Sequence, residues 1–140
     1  MLNVMEKIKV EISWEEKNYC CGWSLEDVGT VFCTNKNIED LKSEFEDALR
    51  FHVESMVADG EVVPQWLASG EYEIDFTLAV SALLRQAERF TTMAVISRFT
   101  GINQKLLSHY ANSVKKPRPA QRERIVNGLH EIGQMFLAVH

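Results

Sequence analysis

Met93-Ala94-Val95-Ile96-Ser97-Arg98-Phe99-Thr100-Gly101-Ile102-Asn103-Gln104-Lys105-Leu106-Leu107-Ser108-His109-Tyr110 reads as a helix, a tight turn and a second helix. A helix-turn-helix needs a small residue where the helices cross, a glycine at the turn and apolar residues that lock the pair. Ser97 is the small residue, and Gly101 stands where the backbone can need a left-handed conformation. Ile96, Ile102, Leu107 and Tyr110 supply the lock. A second helix over Asn103–Ser113 would expose Asn103, Gln104, Lys105, Ser108, His109 and Asn112. Asn and Gln can pair with adenine bidentately, and Lys reaches guanine or phosphate. Such a helix lies in the major groove with its first residues at base edges, and its N-terminus favours phosphate. Lys115, Lys116 and Arg118 follow in a proline-stiffened loop placed to grip the flanking DNA backbone. A small bundle with a solvated polar face would carry similar charges. The agreement of spacing, turn, amides and basic loop favours DNA binding.

Around this stretch the pattern is helical. Val80, Leu83, Leu84 and Ala87 mark a helix over Thr77–Phe90, and Thr92–Phe99 is the next. Pro119 suits the start of a last helix, Ala120–Val139. There Ile125, Leu129, Ile132, Phe136 and Val139 step by 4, 3, 4 and 3. That narrow seam fits a helix that pairs with another, and equally one seated on its own domain. Gly128 and Gly133 weaken the helix locally.

The first half reads differently. Ile8, Val10, Ile12 and Trp14 alternate with Lys7, Lys9, Glu11 and Ser13, a half-buried strand. Glu15–Asn18 is a turn, Tyr19–Ser24 the returning strand, Leu25–Asp27 a loop and Gly29–Thr34 a third strand. Asn37 is placed as the N-cap of a helix whose apolar face runs from Ile38 through Leu41, Phe45, Leu49 and Val53 to Met56, with Gly60 at its end. Glu61–Gly70 is a connector, and Tyr72, Ile74 and Phe76 mark a fourth strand. The expected fold is α+β: a β-β-β-α-β layer over residues 1–76 and an all-α helix-turn-helix bundle over residues 77–140.

Charge divides at the same place. Residues 1–76 hold six Lys/Arg against seventeen Asp/Glu, and residues 77–140 hold nine against three; the net −5 hides both. An acidic half attracts basic partners and a basic half attracts phosphate. No apolar run approaches a membrane span, and Met1–Val10 lacks a signal-peptide core, so the expected location is the cytoplasm. The odd count of cysteines, Cys20, Cys21 and Cys33, with no CxxC pair or Cys/His cluster, points to reduced thiols used as small strand residues and to no metal site.

Leu83–Leu129 resembles the Xre-type, phage-repressor-like helix-turn-helix, departing from it at Met93, where that family often has Gln, and at Val114-Lys115, where many members have Gly. The acidic half resembles the antitoxin HicB in Ile8–Glu16, Asn18-Tyr19, Leu25-Glu26-Asp27-Val28-Gly29, Thr34 and Leu41–Glu54. It lacks the family's Gly before Tyr19, its loop proline, and the Gly of its Thr-x-Gly-x-Thr segment. The resemblance implies a partial ribonuclease H-like layer without catalysis. It also implies a small basic RNA-cleaving toxin, HicA, as partner, and repression of the shared operon by the DNA-binding half, expected to act as a homodimer or higher oligomer on double-stranded operator DNA. The polar candidates for toxin contact are Glu15, Glu16, Glu26 and Asp27.

A ribonuclease H would need carboxylates on its first strand, first helix and a later strand. Glu11, Glu44 or Asp47, and Asp75 occur in that order, but Glu11 shares a strand face with Lys7 and Lys9, as on a solvated face. The expectation is therefore no enzyme and no cofactor. His52 is expected at a core edge, and Met5, Met56, Met93 and Met135 as packing residues. The alternative reading is a one-component Xre-like regulator whose N-terminal layer senses a small molecule, with Trp23, Trp66 and Tyr19 as possible pocket residues, or only mediates assembly.

Overall fold

A computed structural model describes residues 5–140; the part of the N-terminal reading that concerns Met1–Val4 lies outside them. The chain is mixed α+β. The described elements are strands β1 (Glu6–Glu15), β2 (Asn18–Leu25) and β3 (Gly29–Asn35), helices α1 (Ile38–Ala58) and α2 (Gln65–Ala68), strand β4 (Tyr72–Leu78), and helices α3 (Val80–Ala87), α4 (Met93–Thr100), α5 (Gln104–Ala111) and α6 (Pro119–Leu137). They pack as two compact units. The first comprises the residues up to Ile12 and Lys17–Thr77; the second comprises Ser13–Glu16 and Leu78–His140.

The first unit is a sheet with one long helix. Strand order is β3-β2-β1-β4. β2 and β3 pair antiparallel from Tyr19 opposite Asn35 to Leu25 opposite Gly29. The hairpin closes through Asp27, whose φ of 65° is left-handed, a conformation short Asp side chains tolerate. α1 begins where Asn37 accepts a hydrogen bond from the Asp40 N–H at 3.0 Å. Leu41, Phe45 and Leu49 are fully buried, as are Ile8, Val10 and Ile12 of β1. Each such side chain contributes about 1.5–3 kcal/mol relative to exposure. The rings of Phe45 and Phe76 meet edge to face at 5.9 Å. Phe76 therefore places Ile74 and Tyr72 on the helix-covered face, and alternation puts Glu73 and Asp75 on the other.

The second unit is built on one apolar cluster of Val80, Leu84, Ile96, Ile102, Leu107, Tyr110, Ala111, Ile125 and Ile132. Ser13–Glu16 join it through Trp14: its backbone N–H donates to Ser81 Oγ at 2.9 Å, and the Arg85 guanidinium lies 4.5 Å from its ring centroid.

Several local expectations need correction. The helix expected over Thr77–Phe90 is shorter, because the strand alternation continues through Leu78 and α3 spans only Val80–Ala87. The Glu61–Gly70 connector folds one helical turn, α2, which buries Leu67. Met5 and Met135 are exposed rather than packed, while Met56 is buried. Gly128 is not merely a weak point. A Cβ there would stand 2.5 Å from Thr100 Cγ2, so the bare backbone is what lets α6 cross α4. The seam expected along the last helix divides: Ile125 and Ile132 are buried and Phe136 is exposed, while Val139, also exposed, lies beyond the end of α6 at Leu137. Among the described residues, no helix is long and apolar enough to cross a membrane.

Candidate functional site

The turn between α4 and α5 is held by interlocking devices. Thr92 caps α4, accepting from the Val95 N–H at 3.2 Å. Gly101 adopts φ 73°, which closes α4 and would strain an L side chain. Ser97 Oγ donates to the Ile102 carbonyl at 2.6 Å. Thr100 is buried, donates to the Ile96 carbonyl at 2.7 Å and accepts from the Ile102 N–H at 3.2 Å. From α6, Arg124 donates to the Thr100 carbonyl at 2.8 Å and to Gln121 at 2.7 Å. Sequence reasoning found Ser97 and Gly101 but missed Thr100 and Arg124. The available signal was weak: Arg124 and Gly128 lie four apart, hence on one face of α6.

The polar residues of α5 are not equivalent. Asn103 is its N-cap, and its side-chain oxygen accepts from the Leu106 N–H at 2.8 Å. Asn112 donates to the Ser108 carbonyl at 2.9 Å and accepts from Arg85 at 3.2 Å. Its amide also lies 3.4 Å from the Ser108 hydroxyl. His109 is half-buried, with Nδ1 buried and without a hydrogen-bond partner. Three of the six expected readers thus serve the fold or lie partly within it, and Ser108 is shared with Asn112. Gln104 and Lys105 are exposed in the first turn, at the positive end of the helix dipole.

Lys115, Lys116 and Arg118 are exposed in the loop before α6. The chain enters that loop through Ser113, left-handed at φ 58°, with Val114 N–H bonded to the His109 carbonyl at 2.8 Å. This is a Schellman ending with Ser where glycine is usual.

The acidic residues fall less neatly. Glu15 and Glu16 belong to the second unit rather than to the acidic layer, and Glu16 is a turn residue at φ 55°. Glu26 and Asp27 sit at the β2–β3 turn of the first unit. Without Glu15 and Glu16 the first unit still carries six basic against fifteen acidic residues. Its densest run is the outer face of α1, where Glu39, Asp40, Glu44, Glu46, Asp47 and Glu54 are exposed. Two of these carboxylates have close cationic partners, Glu39 with Lys42 at 3.6 Å and Asp47 with Arg50 at 3.2 Å. Phe51 is 73% exposed and lies on the same face as Asp47 and Glu54.

A polar pocket of about 430 Å³ opens in this unit between Glu46, Arg50 and Glu54 of α1, the Leu67–Gly70 turn, and Tyr72. Burial pushes the Tyr72 phenol up, opposed by nearby Arg50 and aided by Glu46. Of the residues weighed as pocket-lining, none borders it: Trp66 stacks edge to face on Tyr72 at 6.3 Å, Tyr19 is buried, and Trp23 is half-buried. His52 Nε2 donates to the Val28 carbonyl at 2.6 Å and so tethers the β2–β3 loop.

Glu11, Asp75 and the α1 carboxylates do not converge, because Glu11 and Asp75 lie on the sheet face away from α1. Among the described residues, no group of three or more His, Cys, Asp or Glu side chains could hold a metal ion. Cys20, Cys21 and Cys33 form no disulfide, and Cys21 stands directly opposite Cys33 in the sheet. Burial, and then the neighbouring thiols of Cys33 and Cys20, push Cys21 up to about 12.

No protein-family model matches this chain, and no curated protein or solved structure is significantly similar to it.

Proposed function

We propose that this chain is a HicB-like antitoxin and repressor, with α4, Gly101 and α5 acting as an Xre-like helix-turn-helix on double-stranded operator DNA. The observation that carries the reading is the hydrogen-bonded turn at Gly101 followed by a first helical turn that leaves Gln104 and Lys105 exposed. Side chains at that place on such a helix meet base edges in the major groove. Lys115, Lys116 and Arg118 take the phosphates, and Asn103 and Asn112 shape the helix end instead of reading bases.

In this reading the β1-β2-β3-α1-β4 layer is a reduced ribonuclease H-like domain that does no chemistry and works in the cytoplasm. It neutralises a small basic RNA-cleaving toxin, and the outer face of α1, acidic with Phe51 exposed, supports a cationic partner that also buries apolar surface. A second reading retains the DNA-binding half and exchanges the toxin for a small ligand in the Glu46–Tyr72 pocket.

The test has two arms. With the DNA upstream of the chain's own gene as probe, Gln104→Ala with Lys105→Ala should remove the preference for that DNA over random sequence. A well-formed side-chain pairing with a base is worth about 1–3 kcal/mol of discrimination. Unchanged preference overturns the assignment of α5. Capture of tagged protein from its host at low and high salt should bring down one small basic protein; its absence, with DNA binding intact, leaves the ligand-sensing regulator.

A further inference from the structure

We propose that Trp14 is a positioning residue for DNA binding, which holds the end of α5 and the start of the Lys115–Arg118 loop in the geometry that meets phosphates. The inference rests on the DNA-binding reading and adds to it a segment far from the helix-turn-helix in sequence.

Ser13–Glu16 pack with the helices, although Ile12 before them and Lys17 after them belong to the first unit. Trp14 fastens them there at three points. Its backbone N–H donates at 2.9 Å to the buried Ser81 Oγ at the start of α3, 67 residues along the chain. Its carbonyl accepts from Ser113 Oγ, 99 residues along. Its ring takes the Arg85 guanidinium on one face, 4.5 Å from the centroid. Joining segments over such separations costs loop entropy, which several contacts from one residue offset.

Two of the three contacts lead to the DNA-facing residues. Arg85 donates to Asn112 Oδ1 at 3.2 Å, and Asn112 donates to the Ser108 carbonyl at 2.9 Å, so the last turn of α5 is fixed from α3. Arg85 Nε is buried without a hydrogen-bond partner, and Glu88 lies 3.4 Å from another of its nitrogens. The indole face is thus a principal support for this cation. Ser113 is more telling. It is left-handed at φ 58°, at a helix end where glycine is usual. Glycine would adopt that conformation without strain but would lack the hydroxyl. The serine accepts the strain and gains the tether to Trp14. Lys115, Lys116 and Arg118 follow directly from this anchored point. A loop whose direction is already fixed loses less freedom when its cations meet phosphate.

Full-length variants are to be compared by melting temperature and by affinity for the DNA upstream of the chain's own gene. Ser113→Gly should hold or raise the melting temperature, since glycine relieves the left-handed strain, yet weaken DNA binding several-fold. Trp14→Ala should weaken binding about tenfold, and should add little to Lys115→Ala with Lys116→Ala, because the effect runs through the same loop. Trp14→Phe, which keeps a ring face under Arg85, should recover most of the affinity. A loss of folding alone would leave the affinity of the folded fraction unchanged. Ser113→Gly and Trp14→Ala binding as the parent does, or a Trp14→Ala loss that adds in full to the lysine substitutions, would overturn the role of Trp14 and leave the DNA-binding reading standing. A parent chain without affinity for that DNA would overturn both.

Discussion

The two units hold their charge in different ways. On α1 of the acidic unit the carboxylates are exposed, and their contacts are short-range ones: Glu39 with Lys42, Asp47 with Arg50, and Glu44 accepting from Asn35 at 2.9 Å. Exposed pairs three residues apart contribute little to stability and are screened by salt. In the basic unit the polar groups near the turn are tied into the backbone, Ser97 to Ile102, Thr100 to Ile96 and Ile102, Arg124 to Thr100 and Asn112 to Ser108, and Asn112 is tied also to the Arg85 side chain. The acidic unit offers a field and the basic unit a shape. A field attracts and speeds encounter, while a fixed shape discriminates between partners.

The contrast breaks first at Gly128. Thr100 is held by two hydrogen bonds and has nowhere to move, so a methyl at Gly128 must push α6 from α4. Gly128→Ala should cost about 1–3 kcal/mol, as overpacking does, and should lower operator affinity by disturbing a turn it never touches in sequence. Chemical denaturation and DNA titration of one variant check both halves. Unchanged stability would mean that the turn is not the rigid element described.

A middling effect is expected from Lys115→Ala with Lys116→Ala. If each lysine neutralises one phosphate as proposed, the plot of log affinity against log salt should flatten by about 1.8, with sequence preference kept. An unchanged slope places the phosphate grip elsewhere, Arg98 being exposed at the end of α4.

The smallest effect sharpens the acidic unit. Folding raises the Cys21 thiol to about 12, from about 8.5 in an open chain. The folded state therefore keeps its proton where the unfolded state has lost it. The stability from the neutral thiol is intact below about pH 8.5 and drains as pH climbs from there toward 12. Cys33 and Tyr72 are raised as well and add to the same alkaline loss. Denaturation midpoints across that window should fall, and fall less in Cys21→Ala. Identical slopes in parent and variant would show that the thiol is not sensed by folding.

Much of this fold was legible in the chain. Alternation over Ile8–Trp14 and Tyr72–Phe76, and the three-and-four spacing from Leu41 to Met56, are local signals, and the first unit is built on them. The turn at Gly101 was legible for the same reason, because its chemistry lies within five residues. The division of labour among Asn103, Gln104, Lys105 and Asn112 was not. Identical exposed amides differ only in whether a backbone N–H or an arginine from α3 comes within reach.

The sequence by itself determined the periodicities, the caps, the turn glycine and the opposition of charge, because each depends on neighbours along the chain. Tertiary structure alone decided that Ser13–Glu16 join the helical unit, that Gly128 is a packing contact while Gly133 is bare, and that the α6 seam is covered at Ile125 and open at Phe136. A repeat of apolar residues states that a face shuns water, and only the arrangement of distant segments states how much of that face they cover.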